Sequence, residues 1–213
     1  MPEDSTEGDA PPQMPENSEV GQPAQKNPGD WQGRGGGKGG GADQTNDADI
    51  IKINGGSLVV DAGGDGIDSN GSLIVTGGTT YIYGPTNGGN SALDYAGTAT
   101  ISGGTIVAVG ASGMAQNFGT DSTQGSMLVT ISDTMTEGDL SLKDSNDNVL
   151  VSCSPSKAYN SVLISCPELA KGEVYTLTTG TVTTDVEMTS LVYGTDDRSM
   201  GGGGLPGKEK RRQ

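Results

Sequence analysis

Asp65, Asp68 and Asn70 crowd one Gly-rich stretch, DAGGDGIDSNGS (61–72), and Asn90 and Asp94 follow in NSALDY (90–95). Carboxylate and amide oxygens at this density suit two chemistries. They could surround a hard cation such as Ca2+, which takes about six to eight oxygens from carboxylates, amides, backbone carbonyls and water. Alternatively, two carboxylates could work as the acid and base of glycoside hydrolysis, provided one is held protonated. A third reading is structural: Asp and Asn side chains in such stretches accept backbone N–H groups and shape turns. The elements that hold these residues decide how far each reading carries.

Those elements repeat. Three segments align on Gly55-Gly56-Ser57, Gly77-Gly78-Thr79 and Gly103-Gly104-Thr105, spaced 22 and 26 residues apart. A short alternating strand precedes each step (IIKIN, SLIVT, TATIS) and another follows it (SLVVD, TTYIY, TIVAV). Ile51, Leu73 and Ala99 fall in register, as do Ile53, Val75 and Ile101, then Leu58, Thr80 and Ile106, then Val60, Ile82 and Ala108. Period-2 alternation predicts strands with one buried face. A recurring unit of this length, built of short strands and turns, predicts a solenoid. The Leu and Asn signature of leucine-rich repeats is absent, so a parallel β-helix fits better. The extra residues of the second repeat fall near PTNGGN (85–90) and predict a protruding loop.

In this register Ile67 lies over Leu93, Asp68 over Asp94 and Gly71 over Gly97, with Asn46 one repeat earlier. Stacked strands are about 4.8 Å apart, and two carboxylates at that spacing repel. Protonation, splaying into water or a shared cation would relieve the repulsion. The ladder thus makes Asp65, Asp68, Asn70, Asn90 and Asp94 candidate Ca2+ ligands, with turn-capping as the alternative. Asp61 points outward from its strand and is read as structural. No EF-hand loop or nine-residue Ca2+ repeat occurs. Tyr81, Tyr83 and Tyr95 are candidate carbohydrate-stacking residues, and their structural alternative is that Tyr favours strands and covers Gly-rich neighbours.

Composition removes several function classes. The 213 residues carry 27 acids against 12 bases, a formal charge of −15, and no His. Nucleic acid is therefore not an expected partner, because phosphate contacts need clustered Lys and Arg. A His-based triad and a His-ligated zinc site are excluded. No apolar run approaches the roughly 20 residues of a membrane span, and the acidic, Pro-rich start is not a secretory signal. If the protein is exported, the signal is expected outside this chain. Residues 1–47 hold six of the ten prolines and no Ile, Leu or Phe. They include Trp31 and the linker-like GRGGGKGGG (33–41), and are expected to be disordered. The Gly-rich tail 197–213, with Lys208, Lys210, Arg211 and Arg212, is expected to be disordered too. Between them, 48–126 is assigned to the repeats and 127–196 to a small antiparallel β cap covering the last coil. Cys153 and Cys166 lie on the apolar sides of their strands. They are read either as buried thiols or as a disulfide, although a simple hairpin would set Cys153 opposite Ser161.

The combined text INGGSLVVDAGGDGIDSNGSLIVTGGTTYIYGPTNGGNSALDY, GTATISGGTIVAVGASGMAQNF and LKDSNDNVLVSCSPSKAYNSVLISCPEL resembles the bacterial carbohydrate-binding domain-containing protein family, once a domain of unknown function. The likeness covers about residues 48–193. It implies a right-handed parallel β-helix that binds Ca2+ and recognises polygalacturonate, pectin-like glycans or cellulose. It also implies a secreted or surface-attached protein, commonly a lipoprotein. Two features depart from the family. Its members carry further coils before the Gly-rich insert, and paired cysteines at these positions are not one of its marks.

Catalysis is not expected. A pectate lyase needs a basic residue for the proton α to the carboxylate, and the only base in 48–118 is Lys52, on a strand. A galacturonan hydrolase needs one carboxylic acid kept neutral, and wet Gly-lined turns offer no apolar pocket for that. The expected function is a non-catalytic, extracellular, Ca2+-dependent module for acidic plant polysaccharide. A Ca2+-stabilised structural or adhesive surface module is the alternative.

Overall fold

In a computed structural model, residues 49–136 and 138–194 are described; all lie in one of the chain's two units, Gly41–Gln213. Trp31, Asn46, the GRGGGKGGG segment, the basic tail and the rest of the two termini lie outside the described residues. Twelve strands are described: β1 Ile50–Asp61, β2 Ile67–Ser69, β3 Ser72–Tyr83, β4 Leu93–Tyr95, β5 Ala99–Gly110, β6 Ser126–Met135, β7 Leu140–Lys143, β8 Val149–Cys153, β9 Tyr159–Ser165, β10 Val174–Thr179, β11 Val182–Glu187 and β12 Val192–Tyr193. A single 3-10 turn, Ser112–Met114, follows β5.

The repeat register read from the sequence is found. β1 pairs β3 in parallel, with Ile51 on Leu73, Ile53 on Val75, Leu58 on Thr80 and Val60 on Ile82. β3 pairs β5 in the same way, through Ala99, Ile101, Ile106 and Ala108. Each Gly-Gly step, expected to separate two short strands, instead lies inside one 12-residue strand as a bulge. The second glycine of each step has positive φ, at 81°, 91° and 91° for Gly56, Gly78 and Gly104. The bulge shifts the side-chain phase by one residue, so odd positions face the core before it and even positions after it.

The parallel β-helix expectation is overturned. β1, β3 and β5 form half of an open, mixed six-stranded sheet in the order β1-β3-β5-β9-β6-β12. Among the described residues the only parallel ladder outside that sheet is the three-residue pair β2–β4. After β5 the stacking stops because β9 docks on it antiparallel, with Val107 against Ile164 and Val109 against Val162. β9 then pairs β6 antiparallel, and β6 carries β12 in parallel. The expected separate cap is corrected as well. β6, β9 and β12 belong to the first sheet, and only β7, β8, β10 and β11 form an antiparallel sheet, in the order β11-β10-β7-β8.

Two cores follow from strand alternation. In β5, Ile106 and Ala108 join a cluster with Leu73, Val75, Ile82, Leu93, Ile101 and Phe118. Val107 and Val109, on the opposite face, join Met127, Val162 and Ile164 and meet the second sheet through Leu140, Leu142, Tyr175 and Leu177. β5 and β9 are therefore sandwiched, which accounts for the unbroken burial of Ser161–Ser165. Each such Leu or Ile contributes about 1.5–3 kcal/mol through burial.

The cysteines sit in this second core as free thiols, Cys166 buried and Cys153 half-buried. The hairpin that would have brought Cys153 near Ser161 does not exist, since Cys153 pairs with Leu140 in one sheet and Ser161 with Gly110 and Thr130 in the other. Burial pushes both thiols up to about 12. A thiol that stays protonated is a poor nucleophile. Neither cysteine is therefore expected to react with a thiol-exchange reagent at pH 8 in the native chain, and both should react at once in denaturant. Rapid native labelling of Cys166 would contradict the placement.

Candidate functional site

The acidic ladder is built by β2 and β4. Their register sets Ile67 beside Leu93, Asp68 beside Asp94 and Ser69 beside Tyr95. Four backbone bonds hold the turn: Gly66 N–H to the Ser91 carbonyl at 3.0 Å, Ile67 N–H to Ala92 at 3.0 Å, Ala96 N–H to Ser69 at 3.0 Å and Gly97 N–H to Gly71 at 2.7 Å. Strand alternation sends Ile67 and Ser69 inward and leaves Asp68 exposed. Leu93 is buried and Asp94 half-buried. Asp68 and Asp94 are thus neighbours because their apolar predecessors share one core.

The other candidate ligands are engaged elsewhere. The Asp65 carboxylate accepts the Ser91 backbone N–H at 2.6 Å, clamping one repeat to the next. Asn90 donates its side-chain amide to the Asn87 Oδ1 at 3.0 Å, within the loop before β4. Asn70 is exposed just after β2. Asp94 accepts from Gln116 Nε2 at 3.2 Å. Among the described residues no three His, Cys, Asp or Glu side chains are grouped as a metal cage would require. The five residues therefore do not form one enclosed shell. Of the five, Asp68 and Asp94 alone are set directly beside each other across the ladder, and Asn70 follows Ser69 at the end of β2.

The three tyrosines do not make an exposed platform. Tyr81 and Tyr83 are half-buried and packed against the second core. Desolvation, with a smaller contribution from Cys153, pushes both phenols above their ordinary range. Tyr95 is packed on the first core, and its hydroxyl donates to the Asn117 carbonyl at 2.5 Å. Stacking on a sugar needs an open ring face, which Tyr81 and Tyr83 lack for a simple reason. Alternation places them on the face away from the first core, but the four-stranded sheet covers that face.

Asp61, read as structural, ends β1 in an ion pair with Lys157, and Ser156 Oγ donates to it at 3.2 Å. The Lys157 ammonium, with Ser156 adding to it, holds the Asp61 carboxyl below the usual carboxylate range. Lys157 also donates to the Ala62 carbonyl at 2.6 Å, so the segment between β8 and β9 ties down the end of β1.

Sequence reasoning missed the polar residues that join the parts. Asn117 is buried and bonds three strands and its own chain neighbour: its Nδ2 donates to the Tyr193 carbonyl at 2.6 Å, its Oδ1 accepts from Phe118 N–H and Ser126 Oγ at 2.8 Å each, and its carbonyl accepts from Tyr95. Gln124 donates to the Gly104 carbonyl at 2.9 Å and to Ser165 Oγ at 2.8 Å. Lone amides in irregular segments leave no periodic trace, so nothing in the sequence marked them.

No helix among the described residues is long and apolar enough to cross a membrane. No family model, no curated protein and no solved structure matches the chain.

Proposed function

We propose that the chain is a non-catalytic, extracellular binding module for acidic polysaccharide of the polygalacturonate or pectin type, with Ca2+ bridging protein and glycan. One observation carries the reading: Asp68 and Asp94 are held side by side on the outer edge of β2–β4 by a register that the buried Ile67 and Leu93 enforce. Bound there, Ca2+ would supply a positive centre shared between protein and uronate carboxylates. The charge of −15 makes that necessary, because an acidic chain otherwise repels a polyanion. Asp68, Asp94 and Asn70 would hold the ion, while Asp65 keeps the turn closed and Asn90 shapes the loop.

The placement of the tyrosines favours a second reading, a Ca2+-stabilised structural or adhesive surface module. With Tyr81, Tyr83 and Tyr95 used in packing, aromatic stacking on sugar rings has little support. Calorimetric titration separates the two. On the first reading, oligogalacturonate binds only with Ca2+ present, and Asp68→Asn with Asp94→Asn weakens binding at least about tenfold, or about 1.4 kcal/mol. On the second, Ca2+ raises thermal stability and no glycan binds. Binding that persists unchanged in excess chelator would contradict the proposal.

A further inference from the structure

Among the described residues β1 is paired on one side only, by β3, and forms an edge of the six-stranded sheet. It is 12 residues long, and Ile50, Leu58 and Val59 on it are exposed by 45%, 39% and 50%. Long apolar edges of this kind present unpaired N–H and C=O groups, and soluble proteins normally blunt them with charges, Pro or a covering segment. β1 has no Pro and only two charged residues, Lys52 and Asp61.

We infer that a second copy of this chain covers this edge, β1 joining β1 antiparallel about a two-fold axis between Gly55 and Gly56. The strand is self-complementary under that operation. It sets Ile51 opposite Val60 of the second copy and Ile53 opposite Leu58 of the second copy. All four lie on one face, because the Gly-Gly bulge shifts the phase between the two halves of the strand, and β3 pairs them with Leu73, Val75, Thr80 and Ile82. On the other face Lys52 falls opposite Val59 and diagonal to Asp61 of the second copy, whose carboxylate, already paired with Lys157 of its own chain, would be shared between the two ammonium groups. One base and one acid per edge let two copies meet without like-charge contact, despite the charge of −15. An isologous contact of this kind closes as a dimer and does not propagate.

Gly55 supports the same assignment. At the equivalent Gly77 and Gly103, a Cβ would meet the carbonyl oxygen of Asn54 at 2.9 Å and of Thr76 at 2.5 Å, so the neighbouring strand demands glycine there. At Gly55 a Cβ meets nothing within 4 Å, and its φ is not positive. Among the described residues, therefore, nothing requires glycine at position 55, whereas a strand lying along the open edge would.

Sedimentation velocity on the full chain, from about 1 to about 500 µM, tests the assignment, since an edge pair of this size gives a modest, concentration-dependent interface. A reversible monomer–dimer equilibrium is expected. Gly55→Val and Leu58→Lys, each at a site open in the single chain, should abolish the dimer while circular dichroism and thermal midpoint stay near wild type. In a mixture of Ile53→Cys and Leu58→Cys chains, oxidation should give a disulfide-linked heterodimer that neither variant forms alone. A chain that stays monomeric throughout overturns the proposal, as does a dimer indifferent to both surface variants. A dimer that cross-links through Ile53→Cys alone overturns the antiparallel register.

Discussion

Gly104→Val is expected to destabilise the chain by about 4 kcal/mol or more, enough to unfold a domain of ordinary stability. Two costs add. Gly104 sits at φ 91°, where a β-branched residue costs about 1–3 kcal/mol. Its Cβ would also lie 2.6 Å from the Gly78 carbonyl oxygen and 2.7 Å from the Gly77 carbonyl carbon, both backbone atoms of the adjacent strand. Neither can yield without parting β3 from β5 at the centre of the sheet, beside the ladder formed by Ile101 and Ile106. The Gly104 carbonyl also accepts the Gln124 bond, so displacement breaks a buried polar contact as well. Urea unfolding followed by circular dichroism gives the measurement, and Gly55→Val is the matched control. That residue is the first glycine of its own step, at a φ that is not positive and with open space beside it, so its effect should stay within about 0.5 kcal/mol. Equal midpoints for the two variants would show that the glycine stack is not what the bulges require.

The same comparison shows what a repeat in the sequence can and cannot specify. Register was legible because ladder pairing leaves a mark on both sides of each bulge: Ile51, Leu73 and Ala99 match, and so do Leu58, Thr80 and Ile106. Closure was not legible. Stacked strands imply neighbours above and below, but whether the connecting segments wind into further walls depends on what docks at the open end. Here β9 docks, and it comes from a segment outside the repeat. A signal for this was present in SVLIS, whose residues are buried on both faces in the manner of a central strand, although a cap strand should alternate. The hairpin expected around residue 157 failed for a related reason, because proximity in sequence cannot say that β8 and β9 enter different sheets.

The candidate site divides along the same line. Asp68 and Asp94 were legible as neighbours because they inherit the register of Ile67 and Leu93. The role of Asp65 was half-legible. Its counterpart one repeat on is Ser91, and it is the Ser91 N–H that its carboxylate accepts, so a position that breaks the acid ladder serves as its clamp. The tyrosines were misread because alternation tells which residues share a face and is silent on whether a second sheet lies over it. Tyr81 and Tyr83 are shared between sheets, and Tyr95 is committed to Asn117.

Asn117→Leu is expected to cost about 3–4 kcal/mol, although leucine is close to asparagine in size and belongs in apolar surroundings. Asn117 is 2% exposed, and its side chain satisfies three groups: the Tyr193 carbonyl, the Phe118 N–H and the Ser126 hydroxyl. Phe118 and Ser126 are themselves 1% and 0% exposed, so water cannot replace the lost partners without opening the structure. A buried polar group left without a partner costs about 1–3 kcal/mol, and losing the centre of a network costs more than losing one pair. The damage should also be local before it is global. Asn117 fastens the segment after the 3-10 turn to β6 and to the two-residue β12, which otherwise depends on a short parallel ladder and the Ser126 N–H bond to Leu191. Hydrogen exchange at Ser126 and across Val192–Tyr193 should therefore accelerate in the variant more than at β3 or β5. Thr120→Ala, an exposed change three residues away, serves as the control and should move neither stability nor exchange. If Asn117→Leu unfolds at the wild-type denaturant midpoint with unchanged exchange at β12, the amide is packing filler, and the link between the first sheet and its last strand must lie in the backbone ladder alone.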